Sequence, residues 1–321
     1  MLTIRRVRGS LPAAIVCALA LALTASSVAV ARPTCLGKRA TIVGTDKRDK
    51  IKGTGHADVI VGKGGRDLIY SNGGRDTICG DSGDDRILGG SHPSTLRKDD
   101  PSVLIGGPGD DYIGGGFHDD FIVGDNANLT GDATGPVGVD RIDGQFGDDH
   151  VVGDNYSRFD ATGGVHDFIK SQKGDDYLVG DSEVTGDGVA RGGGPDRFEG
   201  SSDRDFEVGD SISPYGRAIG GGDDIINAGP ADDLVVGDSY TKTGFASGSG
   251  QDEIHMLWQN DTAYGDNYAA SPQGKVRGGA HDFVGGWTGN DHLFGGPGHD
   301  TCSGGEDHDQ AEDCEYTVGV P

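Results

Sequence analysis

Residues 44–88 read GTDKRDKIK (44–52), GTGHADVIV (53–61), GKGGRDLIY (62–70), SNGGRDTIC (71–79) and GDSGDDRIL (80–88). An aspartate recurs every nine residues, at Asp49, Asp58, Asp67, Asp76 and Asp85, and an isoleucine follows each one by two positions. The pattern is G-G-x-G-x-D-x-U-x, in which U is a large aliphatic residue. Such self-similarity at a fixed short period indicates a repeat architecture whose units stack on one another.

The same unit returns, mostly in pairs, through the rest of the chain. Its later aspartates are Asp111, Asp120, Asp140, Asp149, Asp167, Asp176, Asp196, Asp205, Asp224, Asp233, Asp252, Asp261, Asp282, Asp291, Asp300 and Asp309. A G-D-[N/S] tripeptide follows the pairs at Gly124, Gly153, Gly180, Gly209, Gly237 and Gly265, in steps of 27 to 29 residues. Each long unit is therefore two nonapeptides plus an excursion of about ten residues. The excursion either bulges outward or replaces part of a turn.

The composition demands a counter-ion. The 321 residues include 60 Gly, and the 52 acidic residues are 45 Asp and only 7 Glu, with a net charge of −25. This excludes a basic nucleic-acid-binding face and disfavours helices. One inward aliphatic residue in nine is a thin core against the ordering entropy of so much glycine. Calcium takes six to eight oxygen ligands, and a short Asp beside a glycine turn supplies both carboxylate and carbonyl oxygens.

These residues at this spacing resemble the hemolysin-type calcium-binding repeat of the RTX family, over residues 44 to about 313. The resemblance implies an all-β fold, a parallel β-roll or β-solenoid, with Ca²⁺ ions bound between successive turns and binding coupled to folding. It implies that the sixth-position aspartates are ligands: Asp49, Asp58, Asp67, Asp76, Asp85, Asp111, Asp120, Asp140, Asp149, Asp167, Asp176, Asp196, Asp224, Asp233, Asp252, Asp282, Asp291 and Asp300. Asp205 and Asp261 are left out because their units lack turn glycines, and Glu207 interrupts the aliphatic positions.

The two ends of the chain have features of their own. Residues 1–31 combine Arg5, Arg6 and Arg8, a short apolar run and Ala29-Val30-Ala31, which together predict a cleaved secretory signal. We expect residues 32–43 to cap the repeats and residues 314–321 to form a tail. We expect no membrane span after signal removal, and a secreted, extracellular protein.

Four cysteines remain after the signal, an even number that suggests two disulfides in an exported chain. Their clustering favours Cys35–Cys79 and Cys302–Cys314 among three possible pairings. A zinc site is the weaker alternative, because no C-x-x-C spacing occurs.

The function that these features favour is a secreted calcium-binding protein with a structural or surface-interaction role and no catalysis. GDSGD at 80–84 resembles a serine protease motif, but G-D-S recurs as part of the repeat. The alternative is a solenoid enzyme or lectin that acts on a cell-surface polysaccharide through the excursion loops, or through a column formed by Tyr156, Tyr240 and Tyr268. A third possibility is an adhesin or ice-binding surface, although the flat threonine array that would mark one is not found in the sequence.

Overall fold

The glycine-rich nonapeptides form turns that connect short strands. The computed structural model describes residues 31–90 and 101–320. All regular elements in these residues are β-strands. The predicted signal peptide lies outside the described residues, apart from Ala31. Within the described ranges, the structure contains no helix long and apolar enough to span a bilayer.

The nonapeptide strands stack into two parallel sheets of twelve strands each, confirming the predicted all-β parallel solenoid. The strands of the first sheet are Lys50–Lys52, Leu68–Tyr70, Arg86–Leu88, Tyr112–Gly116, Arg141–Gln145, Phe168–Lys170, Arg197–Glu199, Ile225–Asn227, Glu253–His255, Phe283–Gly285, Thr301–Ser303 and Tyr316–Val318. Those of the second sheet are Ile42–Val43, Val59–Gly64, Thr77–Ser82, Val103–Ile105, Phe121–Val123, His150–Val152, Tyr177–Val179, Phe206–Val208, Leu234–Val236, Thr262–Tyr264, His292–Phe294 and Gln310–Glu312.

The core between the two sheets is a double row of aliphatic side chains. In the first sheet Ile51 pairs with Ile69 and Ile69 with Ile87, so each aliphatic residue stacks on its equivalent in the next coil. Phe198 is the largest fully buried side chain in this core. Glu207 takes an aliphatic position in the second sheet, in register between Leu178 and Val235, and is completely buried.

The excursions are part of the coil. Their first strands are Ala127–Asn128, Tyr156–Ser157, Glu183–Val184, Tyr240–Thr241 and Tyr268–Ala269, and Ile212 bridges the third and fourth of these. Their second strands are Ala161–Thr162, Val189–Arg191, Arg217–Ile219, Phe245–Ser247 and Lys275–Arg277, which form one five-stranded parallel sheet. Each excursion therefore pairs with the excursions of neighbouring coils instead of bulging as a free loop.

A second, smaller core lies between the second sheet and the excursions. Val152, Val179, Val208 and Val236 face outward from the second sheet and pack with Ile212. The three recurring tyrosines contribute to this core but do not form one column by themselves. The ring of Tyr156 contacts Phe121, whereas Tyr240 contacts Phe206 as well as Tyr268.

Both ends of the stack carry a disulfide. Near the N-terminus, Thr34–Cys35 pairs antiparallel with Lys38–Arg39, and Cys35 is bonded to Cys79 in the second sheet. At the other end, Cys302 is bonded to Cys314. The pairing is the one that the clustering of the cysteines favours. The regular sheets extend beyond residues 44–313, since strands Ile42–Val43 and Tyr316–Val318 belong to them.

Candidate metal centres

The sixth-position aspartates form two ladders along the edges where the turns enter the sheets. The first Asp ladder precedes the first sheet and contains Asp49, Asp67, Asp85, Asp111, Asp140, Asp167, Asp196, Asp224, Asp252, Asp282 and Asp300. The second Asp ladder precedes the second sheet and contains Asp58, Asp76, Asp120, Asp149, Asp176, Asp205, Asp233, Asp261, Asp291 and Asp309. All the predicted ligands lie on these two ladders.

Each ladder is built by one repeated hydrogen bond. The backbone N–H of Asp67 donates to Oδ1 of Asp85 at 2.7 Å, and the backbone N–H of Asp149 donates to Oδ1 of Asp176 at 2.8 Å. Ser102 replaces an aspartate in the second Asp ladder, and its N–H donates to Asp120. At the end of the first Asp ladder, Glu315 accepts from the N–H of Asp300 at 2.8 Å. The bond fixes each carboxylate against the preceding coil.

The second carboxylate oxygen of most of these aspartates, Oδ2, is buried and remains available to bind a cation. We define open oxygens as buried Oδ2 atoms that accept no hydrogen bond from the residues the structure describes. They belong to Asp67, Asp85, Asp111, Asp140, Asp149, Asp167, Asp196, Asp224, Asp233, Asp252, Asp261, Asp282, Asp291, Asp300 and Asp309. A buried polar atom without a hydrogen-bond partner is costly, so a row of them requires a common explanation.

The open oxygens face backbone carbonyls beside the turn glycines. A methyl group placed on Gly62 would lie 2.7 Å from Oδ2 of Asp67 and 2.6 Å from the carbonyl oxygen of Gly80 in the next coil. A methyl group on Gly265 would lie 2.8 Å from both Oδ2 of Asp282 and the carbonyl oxygen of Gly295. Glycine is required there because a side chain would fill the space that the two oxygens share. Carboxylate and carbonyl oxygens converging in this way are the donor set that calcium prefers.

Three ladder positions are closed by local hydrogen bonds. Oδ2 of Asp49 accepts from the N–H and hydroxyl of Thr45, and Oδ2 of Asp58 accepts from those of Thr54. Oδ2 of Asp205 accepts from the N–H of Ser201 at 3.0 Å. A threonine or serine in place of a turn glycine thus accompanies a carboxylate that is already satisfied.

Burial and mutual repulsion disfavour the charged form of many of the ladder carboxylates. Burial raises the pKa of Asp85 to about 7, and burial together with the charge of Asp140 raises the pKa of Asp111 to about 10. Burial likewise raises the pKa of Asp149 to about 10 and that of Asp261 to about 8. At neutral pH these groups must take up either a proton or a cation, because an isolated buried carboxylate is too costly.

The backbone must supply most of the ligands of any bound ion. Among residues 31–90 and 101–320, no three His, Cys, Asp or Glu side chains are grouped closely enough to hold a metal by themselves. One ladder carboxylate and the glycine carbonyl of the next coil provide oxygens from both of the coils that they join. The donor set is therefore one that exists only when the coils are stacked.

Sequence reasoning missed several of these aspartates. Asp261 and Asp309 carry open oxygens although they are outside the predicted ligand set. The aspartates of the G-D-[N/S] tripeptides are also buried, namely Asp125, Asp154, Asp181, Asp210, Asp238 and Asp266. Their signal in the sequence is the recurrence of the same dipeptide at each long step.

Coils stacked in this way, with carboxylates and carbonyls converging at the turns, define a calcium-binding parallel β-solenoid. The family model described as the RTX calcium-binding nonapeptide repeat (4 copies) matches residues 40–69, 52–87, 101–128, 220–239 and 278–311. These matches and the parallel β-solenoid identify RTX repeats with the β-roll fold in the chain, and repeats of this kind bind multiple calcium ions. A comparison with curated proteins found no significant match.

Proposed function

We propose that the chain is a secreted protein that folds when calcium binds along its two Asp ladders, and that its role is structural, at or near a surface, without catalysis. The observation that carries the proposal is the row of open oxygens beside glycine carbonyls. An ion bound between two adjacent coils neutralises their carboxylates. This binding supplies the stabilisation that a core of one aliphatic residue per strand lacks. The fold is then conditional on the ion.

The calcium gradient across the membrane makes this dependence useful. Extracellular modules bind calcium with dissociation constants of roughly 10⁻⁴–10⁻³ M. Such a chain stays expanded where free calcium is scarce and becomes compact once outside. The signal predicted over residues 1–31 and the two disulfides support export, because disulfides persist in oxidising compartments. The repeated use of the aspartates in every coil favours ion ligation over acid–base catalysis.

Far-UV circular dichroism at neutral pH, in chelator and then in millimolar calcium, tests the proposal. We expect an expanded chain in chelator and a β-rich spectrum in calcium, together with several bound ions per chain by elemental analysis. Magnesium at the same concentration is the control and should restore little β signal, because it demands octahedral geometry and dehydrates reluctantly. A spectrum that is the same in chelator and in calcium would refute calcium-dependent folding.

A second candidate, polysaccharide binding, is favoured by exposed aromatic side chains on the turns of the second Asp ladder. Trp258 is 61% exposed and Trp287 is 53% exposed. The two lie on adjacent coils, since Trp258 forms a bridge with Thr288. The three recurring tyrosines give less support, because each packs against other rings.

Affinity electrophoresis in gels that contain an acidic polysaccharide tests this second candidate. We expect calcium-dependent retardation that the double variant W258A/W287A loses and that F159A, which alters an exposed ring on an excursion, retains. Equal mobility of the unmodified chain with and without polysaccharide would exclude it for that polysaccharide class.

A further inference from the structure

The tripeptide aspartates form a third Asp ladder, which we define as Asp125, Asp154, Asp181, Asp210, Asp238 and Asp266. All six are buried. Each accepts a backbone hydrogen bond from the chain as it returns from its excursion: Asp210 accepts from the N–H of Gly222 at 3.0 Å, and Asp238 accepts from that of Gly250 at 2.9 Å. This bond joins the two ends of the excursion but leaves the carboxylate with unused acceptor capacity.

Some oxygens of the third Asp ladder lack a hydrogen-bond partner among the described residues, whereas Oδ2 of Asp238 accepts from the side-chain amide of Asn267 at 3.1 Å. Oδ1 of Asp125, Oδ1 of Asp154 and Oδ2 of Asp210 are buried and accept no hydrogen bond within the part of the chain that the structure describes. The carboxyl group of Asp154 lies close to those of Asp125 and Asp181. Two carboxylates cannot both stay ionised at such proximity in a dry interior without a cation between or beside them.

The third Asp ladder also runs beside the first. Asp154 directly follows Gly153, and a methyl group on Gly153 would lie 2.6 Å from the open oxygen of Asp167. The carbonyl oxygen of Gly180 contacts the same position. Three coils further on, the N–H of Gly250 donates to Oδ1 of Asp238, and a methyl group on Gly250 would lie 3.0 Å from Oδ1 of Asp252 in the first Asp ladder. A carboxylate from each ladder therefore adjoins one carbonyl-lined space.

We infer that divalent cations bind between the first and third Asp ladders of the long coils, each with two carboxylates, and form a tighter class than those on the second Asp ladder. The inference rests on the proposed function, because it assumes that calcium is the ion. On the second Asp ladder Asp149 supplies its open oxygen beside Gly144 with no tripeptide aspartate next to it. Calcium affinity rises with the number of charged ligands, so sites between the first and third Asp ladders should bind calcium more tightly than sites on the second Asp ladder.

Calcium titration of the whole chain, with disulfides intact, tests the inference. The double variant D154N/D210N removes two charges but keeps an oxygen to accept each excursion hydrogen bond. The matched control D132N/D187N removes two charges from exposed aspartates of the excursions. We expect D154N/D210N to lose roughly two tightly bound ions, or to bind them at least about tenfold more weakly, and the control to match the unmodified chain.

Identical ion counts and affinities in D154N/D210N and the control would overturn the inference. Protons, and not cations, would then neutralise the carboxylates of the third Asp ladder. The titration of the unmodified chain is a second test that needs no variant to fold: two classes of site are expected, and a single class would overturn the inference. A chain that binds no calcium at all would overturn the proposed function as well, which distinguishes the two failures.

Discussion

The backbone N–H of Asp167 donates a 2.7 Å hydrogen bond to Oδ1 of Asp196, although the two residues are 29 positions apart. This single bond holds one carboxylate oxygen at the neighbouring coil and leaves the other facing the glycine turn. Because the bond recurs along the first and second Asp ladders, it aligns their carboxylates in two rows through the molecule. The stability of the stack then depends on what neutralises those rows.

Acid should partly replace calcium. The pKa of Asp85 is raised to about 7 and that of Asp233 to about 7, chiefly by burial, from an ordinary value of 3.8. A raised carboxyl pKa disfavours the folded state as pH rises through it, and this penalty is absent below the ordinary value. In chelator we therefore expect more β signal at pH 4 to 5 than at pH 8, measured by circular dichroism. Loss of signal on acidification would contradict the assigned pKa directions.

Open and closed ladder positions should differ in calcium binding. D85N alters an aspartate with an open oxygen, whereas D58N alters one whose Oδ2 already accepts two hydrogen bonds from Thr54. We expect D85N to reduce the number of bound ions by about one and D58N to leave it unchanged. Elemental analysis after gel filtration measures both. An equal loss in the two variants would show that the Thr54 contacts do not close the site.

Substitution of a turn glycine at an ion position should destabilise the folded chain. The Cβ of G62A would meet Oδ2 of Asp67 at 2.7 Å and the carbonyl of Gly80 at 2.6 Å. We expect a loss of about 1–3 kcal/mol in urea unfolding at saturating calcium, as for other overpacked positions. G55A is the control, because nothing described lies within 4 Å of its Cβ position. Comparable losses in both variants would argue against a steric cause.

Replacement of Glu207 should stabilise the protein. Its carboxyl group is fully buried, and neither oxygen has a hydrogen-bond partner in the described chain. Burial raises the pKa of Glu207 well above its ordinary value of 4.5, so ionisation favours the unfolded state as pH rises. We expect E207L to gain roughly 1–3 kcal/mol at pH 8 and less at pH 5. E253L, at an exposed position, should change stability by less than about 0.5 kcal/mol. A destabilised E207L would indicate that the carboxylate has a role in the interior.

The two disulfides should contribute unequally. Cys35 and Cys79 are 44 residues apart, whereas Cys302 and Cys314 are 12 apart. Loop-closure entropy predicts about 4 kcal/mol for the first and about 3 kcal/mol for the second. Urea unfolding of C35S/C79S and C302S/C314S in calcium measures the difference. A larger loss in C302S/C314S would mean that contacts at the C-terminal end outweigh loop length.

Much of the ladder arrangement follows from the sequence, because a strict nine-residue period leaves one way to stack the coils. The N–H of Asp49 donates to Oδ1 of Asp67, so these two aspartates, 18 residues apart, lie on adjacent coils. The place of Ser102 in the second Asp ladder could not be predicted, because the repeat spacing is interrupted before it. The excursions were equally hard to predict, since strands of two or three residues are too short to show an apolar period. Their signal is instead the recurrence of Ala190, Ala218 and Ala246 in adjacent coils.

The two terminal strands have a consequence for solubility. The second sheet begins with only two residues, Ile42–Val43, and the first sheet ends with the exposed strand Tyr316–Val318, preceded by Glu315 where an aspartate would otherwise stand. A perfectly regular stack would offer each molecule's last strand as a template for the first strand of another, and head-to-tail fibres would grow. The two-residue first strand, and the disulfides near both ends of the stack, work against such templating.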